Sequence, residues 1–445
     1  MIVDHTNVGA AFRRLSIPVA VQMLGDQLLG TVDTIAIGSI GTVALAGATA
    51  ANAVFVSIAF AAYGFMLGTS IVAAQRIGAS DVDGFARTVR AGIAVPLLIG
   101  LVAFCTSLFW APAAIHGLVG GLASAHASAI YLMLRCASIL PIAISGTLIV
   151  GLGAAGNRAI GILVLVLINL LHIPLLLMLG LGWWTHHPFG IVGAGVSSLL
   201  SETVAAIYAI VYVARRPAYR VFSELSLSWP LAFRCARLGL PESIFLIGVT
   251  VPDIAIVAML APLGAIYVAA FRALNVVSDL TFVVPSPLQS ATQVVIGQRL
   301  GARDPEGARW FFERALRFSL IVTTIAGIVT AALAWPLAYI FTLDAAVASI
   351  AALPLALHMV TLPLKGWAMV ALTPIRASGD TRFSMTVGIL CSLLVIPLAW
   401  IGIERLHIGL YSVALGWIAA WAVRAALTQW KLRDGSWTRR APLAA

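Results

Sequence analysis

Long apolar stretches alternate with short polar ones along the whole chain. Each stretch has about 20 residues or more, the length that an α-helix needs to cross the hydrocarbon core of a bilayer. Twelve such segments are predicted, at residues 16–38, 44–74, 89–110, 127–150, 160–182, 191–213, 239–261, 266–297, 312–334, 348–373, 384–403 and 408–430. Segments 2 and 8 are longer than a bilayer requires, which predicts that they tilt or extend beyond it. The pattern predicts an all-α membrane protein with twelve transmembrane helices.

The second half of the chain repeats the first at a constant offset. One shift aligns Pro18 with Pro241, Gly41 with Gly264, Asn52 with Asn275, Gln75-Arg76 with Gln298-Arg299, Asp81 with Asp304, and Pro174 with Pro397. Six segments per repeat is an even number, so the two halves should have the same orientation and be related by a pseudo-two-fold axis along the membrane normal, with a cavity between them. We predict an N-terminal six-helix bundle over 1–213, a cytoplasmic linker over 214–237, and a C-terminal six-helix bundle with a short tail over 238–445.

Two repeat-related loops carry residues that favour helix ends. Gly78 and Gly301 are predicted to end segments 2 and 8, with Arg76 and Arg299 in the last helical turn. Asp304 precedes a proline, which predicts an N-cap followed by the first helical residue, and Asp81 opens the matching segment. These loops are therefore boundary elements rather than sites of chemistry.

Charge is scarce and unevenly distributed. Hydrophobic residues make up 61% of the chain and charged residues 10%, with a net charge of +10. Of the 27 lysines and arginines, 23 lie near the termini or in the loops that follow every second segment. This positive-inside bias predicts a multi-pass protein of the inner membrane with both termini in the cytoplasm. The same bias explains the positive net charge, so no nucleic-acid partner is needed. We expect the protein to be a monomer in the lipid bilayer.

Ionisable residues inside segment 1 are candidates for function, since charges inside a membrane are costly and need an explanation. Gln22, Asp26 and Asp33 lie on one helical face. They predict a protonatable site that faces the cavity, and the alternative is a structural ion pair with Arg135 of segment 4. His172 of segment 5 and Glu202 of segment 6 are isolated polar groups, for which a structural hydrogen bond is the competing interpretation.

The second half carries a different set of charged residues. Arg272, Asn275 and Asp279 form one polar stripe along segment 8, which predicts either an Arg–Asp pair that holds helices together or a direct role in transport. Asp253 of segment 7 lies near the middle of its helix and is a further candidate. Lys365 of segment 10 is a candidate partner of Asp253, of Asp279 or of an anionic substrate.

Several motifs resemble those of the multidrug and toxic compound extrusion (MATE) transporters. They are Arg14-Leu-Ser-Ile-Pro18, Val32-Asp33-Thr34, Arg237-Leu-Gly-Leu-Pro241, Ala261-Pro-Leu-Gly264 and Arg376-Ala-Ser-Gly-Asp380-Thr381. The chain looks most like the DinF-type branch, and that resemblance implies a proton-coupling role for Asp33. It also implies an asparagine in segment 5, matched by Asn169, followed four residues later by an acid, where this chain has Ile173. The acid of segment 10 found in another branch is replaced by Lys365.

The favoured function is efflux of small organic compounds, amphipathic or cationic, by cation-coupled antiport. Proton coupling is preferred to sodium coupling, because sodium needs several converging oxygen ligands. No phosphate-binding loop or hydrolase motif is present in the sequence, which predicts no enzymatic activity, no catalytic residues, no metal site and no cofactor. The alternative is a flippase that moves a lipid-linked precursor.

Overall fold

A computed structural model describes residues 8–120, 124–183, 188–224 and 226–439, and the regular structure of this part of the chain is helical. The α-helices are Val8–Ile40, Thr42–Gly78, Val82–Val119, Ala125–Ala154, Ala159–Leu175, Gly190–Ala214, Trp229–Gly248, Val251–Leu260, Ala265–Thr281, Pro285–Gly301, Pro305–Ala332, Ala334–Thr342, Ala345–His358, Thr361–Ala371, Thr373–Ala377, Thr381–Trp400, Leu410–Arg433 and Ser436–Arg439. A π-helical turn continues the chain after Leu175 and another after Trp400. The all-α prediction is confirmed.

Within the described ranges, eleven stretches are long and apolar enough to cross a bilayer, and one bent pair of helices makes a twelfth. We number them spans 1 to 12 in chain order: Gly9–Ile40, Thr42–Gly78, Val82–Leu118, Ala125–Ala154, Ala159–Gly180, Gly190–Ala214, Trp229–Leu263, Ala265–Gly301, Pro305–Ala332, Ala345–His358 with Thr361–Ala377, Thr381–Arg405 and Leu410–Arg433. Each span overlaps the predicted segment of the same number, so the prediction of twelve transmembrane helices is confirmed.

Three of the spans contain a break that the apolar pattern alone does not predict. Span 7 breaks after Gly248 and span 8 breaks between Thr281 and Pro285, while span 10 bends by 43° after His358. A proline occupies the first turn of each helix that resumes in spans 7 and 8. Proline fits that turn because the missing N–H group would have no helical partner there. Span 2 differs from its counterpart span 8, since it is one uninterrupted helix of 37 residues.

The repeat-related loops have the same geometry in both halves. Asp81 is the N-cap of span 3 and accepts a hydrogen bond from the backbone of Gly84 at 2.7 Å. It also pairs with Arg76 at 2.7 Å. Asp304 caps span 9 in the same way and pairs with Arg299 at 2.5 Å. The predicted helix ends at Gly78 and Gly301 are confirmed, because spans 2 and 8 stop at these residues.

The chain divides into two compact units, each with its own apolar core. One unit comprises Val21–Ser243, and the other comprises the described residues 8–20 and 244–439. Spans 1 and 7 therefore each contribute their first part to one unit and their remainder to the other. The chain passes from one unit to the other after Ala20 and again after Ser243. The shift that aligns Pro18 with Pro241 also aligns Ala20 with Ser243. The two changes are therefore equivalent in the repeat.

Small residues allow close helix packing in the first unit. Gly64 and Gly68 of span 2 lie against Gly239 and Ser243 of span 7, and no space remains for a side chain at either glycine of span 2. The Ser243 hydroxyl donates a hydrogen bond to the Ala61 carbonyl at 2.7 Å. Packing of small residues in this spacing is a common way for helices to associate inside membranes.

Candidate ion and substrate site

A short contact between Asp33 and His172 joins spans 1 and 5. The Nε2 atom of His172 lies 2.6 Å from the Asp33 Oδ1 atom, and the two groups form an ion pair when the histidine is protonated. His172 is 2% exposed, whereas Asp33 is partly exposed. The imidazole Nδ1 atom lies 3.5 Å from the Ser201 hydroxyl of span 6. His172 is thus a specific partner of the candidate acid, and the interpretation of it as an isolated group is wrong.

Further charged and aromatic groups surround this pair within the first unit. Arg135 of span 4 interacts electrostatically with Tyr131 and Glu202, and its guanidinium lies 3.8 Å from the centre of the Phe55 ring. Tyr131 also interacts with Asp33, and Glu202 with Asp26 and His172. We call this group the N-cluster; its members are Asp26, Asp33, Tyr131, Arg135, His172, Ser201 and Glu202. The described residues contain no ion pair between Arg135 and either Asp26 or Asp33, so the predicted alternative is not formed, and Asp33 pairs with His172 instead.

The other candidates of the first unit lie beside the N-cluster. Asp26 is exposed on span 1, and the Gln22 side-chain oxygen lies against Gly161 of span 5. Asn169 precedes His172 by about one helical turn, and its amide donates a hydrogen bond to the Leu165 carbonyl at 3.0 Å. Its Oδ1 atom is buried and has no hydrogen-bond partner. The arrangement therefore leaves one acceptor of Asn169 available near the Asp33–His172 contact.

A short chain of hydrogen-bonding groups joins spans 8 and 10 in the second unit. Lys365 is 2% exposed, and its ammonium group donates to the Ser278 hydroxyl at 2.9 Å. The same hydroxyl lies 3.0 Å from the His358 Nε2 atom. The ammonium group is also 4.6 Å from the centre of the Phe282 ring. A buried lysine is therefore held between spans 8 and 10 by a hydroxyl and an aromatic face rather than by a direct ion pair.

Two acids and an arginine complete what we call the C-cluster, which consists of Asp253, Arg272, Asn275, Ser278, Asp279, His358 and Lys365. Lys365 interacts electrostatically with Asp279 and Asp253, and Arg272 interacts with both acids as well. Asn275 lies close enough to Asp253 to interact with its carboxyl group. Among the described residues no ion pair joins Arg272 to Asp279, so these two side chains do not form the predicted Arg–Asp pair. Both are exposed on the second unit.

The two clusters use equivalent positions of the repeat for different chemistry. The shift that aligns the two halves places Arg135 on His358 and Phe55 on Ser278. In the first unit these positions make a cation–π contact, and in the second unit they make a hydrogen bond. The framework of spans 2, 4, 8 and 10 is thus repeated, while the side chains at these two pairs of positions differ.

The small polar and aromatic side chains in and around the clusters were not among the predicted candidates. Ser201, Ser278 and Tyr131 belong to the clusters and Phe55 lies against Arg135, and all four occur in apolar segments where such residues are common. A signal existed only for Ser278, which follows Asn275 and directly precedes Asp279 on the predicted polar stripe.

The fold and the clusters together define a class of protein. A multi-pass helical chain with an internal six-span repeat, which holds ionisable groups inside its spans, has the features of a secondary transporter. The MatE family model matches residues 18–178 and again residues 241–401, and the shift of the internal repeat carries both ends of the first match onto those of the second. The chain therefore belongs to the MatE family.

Curated relatives agree with this assignment. The chain is 25% identical over 400 residues to "Probable multidrug resistance protein NorM" of Caulobacter vibrioides, which covers 87% of the chain and 83% of that protein. It is 30% identical over 305 residues to the protein of the same name from Mesorhizobium japonicum, covering 66% of the chain and 64% of that protein. "Multidrug resistance protein MdtK" of Edwardsiella ictaluri is 26% identical over 349 residues, which cover 76% of the chain and 75% of that protein.

Solved structures share the fold over nearly the full length. One is described as a MATE protein in complex with MaL6, with a TM-score of 0.90, 22% identity and 98% of each chain covered. Another is a MOP superfamily transporter from Pyrococcus furiosus, whose description reports a binding pocket of reverse polarity, with a TM-score of 0.88, 22% identity and 99% of each chain covered. At this identity the similarity concerns the fold.

Proposed function

We propose that this chain is a secondary active efflux transporter that exchanges protons for amphipathic or cationic organic compounds. The contact between Asp33 and His172 carries the proposal, because it places a carboxylate and an imidazole 2.6 Å apart inside a bundle of apolar spans. The names of the curated relatives support multidrug efflux and do not favour a flippase of lipid-linked precursors. Small organic molecules and the bilayer are the proposed partners.

Asp33 is proposed as the proton carrier of the cycle. The ionised carboxylate accepts a hydrogen bond from His172, whereas the protonated carboxyl group no longer bears the charge that holds a cationic imidazolium or a cationic substrate. A substrate cation and a proton then compete for one carboxylate, so that binding of one releases the other. This competition gives antiport without a second ion site.

The surroundings of Asp33 favour H⁺ over Na⁺ as the coupling ion. Sodium binds best to several oxygen atoms, as hard cations do. The nearest partner of the Asp33 carboxylate is instead a nitrogen atom of His172, and the positive side chain of Arg135 belongs to the same cluster. A proton requires only that one of these groups change its protonation state.

The remaining candidates are proposed to bind substrate. The free Oδ1 atom of Asn169 is an acceptor for a hydrogen-bond donor on the substrate, and Gln22 and Asp26 extend the polar surface along span 1. In the second unit Arg272 and Asp279 are exposed, so in a bilayer they must face a water-filled space rather than lipid. Asp253 and Asn275 lie close to them and complete this polar surface, and the buried Lys365 acts on it through its electrostatic interaction with Asp253 and Asp279.

We also propose that the protein acts as a monomer in the inner membrane with both termini in the cytoplasm. The distribution of basic residues supports this orientation. The terminal residues 1–7 and 440–445 themselves lie outside the described part of the chain.

Efflux from proteoliposomes under separate ion gradients tests the proposal. A pH gradient alone should drive export of a cationic dye, and a Na⁺ gradient alone should not. Asp33→Asn should abolish pH-driven efflux while the protein remains folded and inserted, because asparagine has a similar shape but no ionisable group. Asp81→Asn changes an acid at a helix cap outside the N-cluster and serves as the matched control, with efflux retained. Efflux driven by sodium alone, or normal pH-driven efflux by Asp33→Asn, would contradict the proposal.

A further inference from the structure

A cavity lined by arginines lies in the first unit, at the end of span 2 where the chain enters the capped loop. Its volume is about 340 Å³. It is lined by Arg76, Gly84, Arg87, Ser228, Pro230, Leu231 and Arg234. Three of these seven residues are arginines and none is acidic, in contrast to both clusters inside the spans. A space of this size is large enough to hold a small polar group such as a phosphate ester.

The charge of two of the three arginines is only partly compensated. Arg76 pairs with Asp81 at 2.7 Å, yet its Nε atom is buried and has no hydrogen-bond partner. Arg87 is exposed on span 3, and the described residues contain no ion-pair partner for it. Arginine binds phosphate oxygens well, because its planar donors match the geometry of the anion. The cavity therefore has the chemistry of an anion site.

Span 7, whose first turns line the cavity, also carries an exposed apolar face. Trp229 and Phe233 are 66% and 71% exposed, and Leu240 is 50% exposed on the same face of the helix. The cavity residues Leu231 and Arg234 belong to the same helix. Aromatic side chains are enriched where a membrane helix meets the head-group region, and an exposed apolar face beyond them suits acyl chains.

We propose that this cavity binds the phosphate head group of an anionic phospholipid, with its acyl chains along the Trp229, Phe233 and Leu240 face. The basic cavity and the apolar helix face would then be the two parts of one lipid site. The proposal concerns neither the N-cluster nor the C-cluster, so it stands apart from the transport cycle proposed above.

Native mass spectrometry of the detergent-purified protein tests the site. The probes are dioleoylphosphatidylglycerol and dioleoylphosphatidylcholine, which share acyl chains and differ in net charge. Wild-type protein should bind phosphatidylglycerol more tightly. Arg87→Gln should weaken that binding about fivefold, the effect of one arginine near an anionic membrane surface, and should leave phosphatidylcholine binding unchanged. Arg234→Gln should act in the same direction.

Arg317→Gln is the matched control, because Arg317 is an exposed arginine on span 9 of the other unit and its loss changes the net charge equally. It should bind both lipids as the wild type does. Equal lipid preference in Arg87→Gln and wild type would overturn the proposal, as would an equal loss in Arg317→Gln. Phe233→Ala should weaken binding of both lipids, and an unchanged affinity would overturn the placement of the acyl chains.

Competition with inorganic phosphate and glycerophosphoglycerol separates a lipid from a soluble anion. Neither compound has acyl chains, so neither should displace phosphatidylglycerol at the concentration at which the lipid itself saturates the site. Displacement at that concentration would overturn the assignment to a lipid and identify a site for free phosphate esters.

Discussion

At the scale of single residues, the two units show two ways to keep an ionisable group inside a membrane. Asp33 is opposed by an imidazole that can carry a compensating charge. Lys365 has no acid in direct contact within the described structure, and its charge is met by a hydroxyl, by an aromatic ring and by more distant carboxylates. The first arrangement places a basic group directly against the acid, whereas the second surrounds the lysine with neutral groups and keeps the acids at a greater distance.

Replacement of Lys365 tests whether its charge stabilises the second unit. Lys365→Met removes a charged hydrogen-bond donor to Ser278, so we expect a loss of about 2 kcal/mol in the free energy of unfolding, measured by thermal denaturation in detergent. In the double variant Lys365→Met, Asp279→Asn, the total loss of unfolding free energy should be smaller than the sum of the losses in the two single variants, because the two charges interact.

The only other lysine of the chain provides the control. Lys431→Met breaks an exposed pair with Asp434, and such pairs contribute little to stability, so its effect should stay within about 0.5 kcal/mol. Strict additivity of Lys365→Met and Asp279→Asn would show that the two groups are not coupled.

The candidate acids were predicted from the sequence, and so was Lys365 as a partner of Asp253 or Asp279, whereas the partner of Asp33 was not. Asp33 was singled out by the cost of a charge in an apolar helix, and the same reasoning found Asp253, Asp279 and Lys365. The contact with His172 joins residues that are 139 positions apart, and it depends on how spans 1 and 5 pack. The acid that the family resemblance implies at position 173 is absent, and the adjacent His172 makes the contact instead.

At the scale of elements, the two capped loops repeat the same geometry in both halves. Ser80 and Arg303 both adopt a left-handed backbone conformation, with φ angles of 59° and 57°. Each directly precedes the capping aspartate. A tight turn followed by a capped helix fixes the angle between consecutive spans at the same place in each half.

Substitutions of the two capping aspartates should separate capping from ion pairing. Asp81→Ala and Asp304→Ala remove the N-cap, which is worth about 1 kcal/mol, whereas Asp81→Asn and Asp304→Asn keep an acceptor and remove only the charge. In thermal denaturation, the alanine variant of each loop should therefore be less stable than the asparagine variant. Equal destabilisation by the two substitutions would indicate that the ion pairs with Arg76 and Arg299 dominate.

Element boundaries were predictable where local chemistry determines them. The ends of spans 2 and 8 followed from Gly78, Gly301 and the capping aspartates. The breaks of spans 7 and 8 lie next to Pro252 and Pro285, so the prolines were a usable signal that hydropathy alone ignores. The bend of span 10 at Met359 and Val360 has no proline at the break itself, and local sequence did not indicate it.

At the scale of the whole molecule, bilayer thickness made the span count predictable. Each crossing requires a minimum length of apolar chain, so twelve apolar segments translate into twelve spans. The constant shift between equivalent residues likewise predicted two repeated halves. Assignment of residues 8–20 to the second unit depends on long-range packing, for which the apolar pattern contains no information.

The proposed orientation can be checked by labelling loops from one side of the membrane. Phe189→Cys and His407→Cys lie between spans 5 and 6 and between spans 11 and 12, and we expect an impermeant maleimide to label them in intact cells. Arg303→Cys should be labelled only in inverted vesicles. The four native cysteines are first replaced, since Cys105 is exposed. Labelling of Arg303→Cys in intact cells would reverse the orientation.

The exchange of helix segments between the units has a consequence for biosynthesis. The ribosome makes residues 8–20 before all other described residues, yet they belong to the unit that is completed last. Phe12 stacks on Phe318, and the Ser16 hydroxyl bonds the Pro287 carbonyl, so these partners are translated only after the entire first unit has emerged. The first turns of span 1 therefore lack their native contacts until the second unit has been synthesised. A gene split between the two halves would yield a first fragment whose leading segment finds its place only when the second fragment is present.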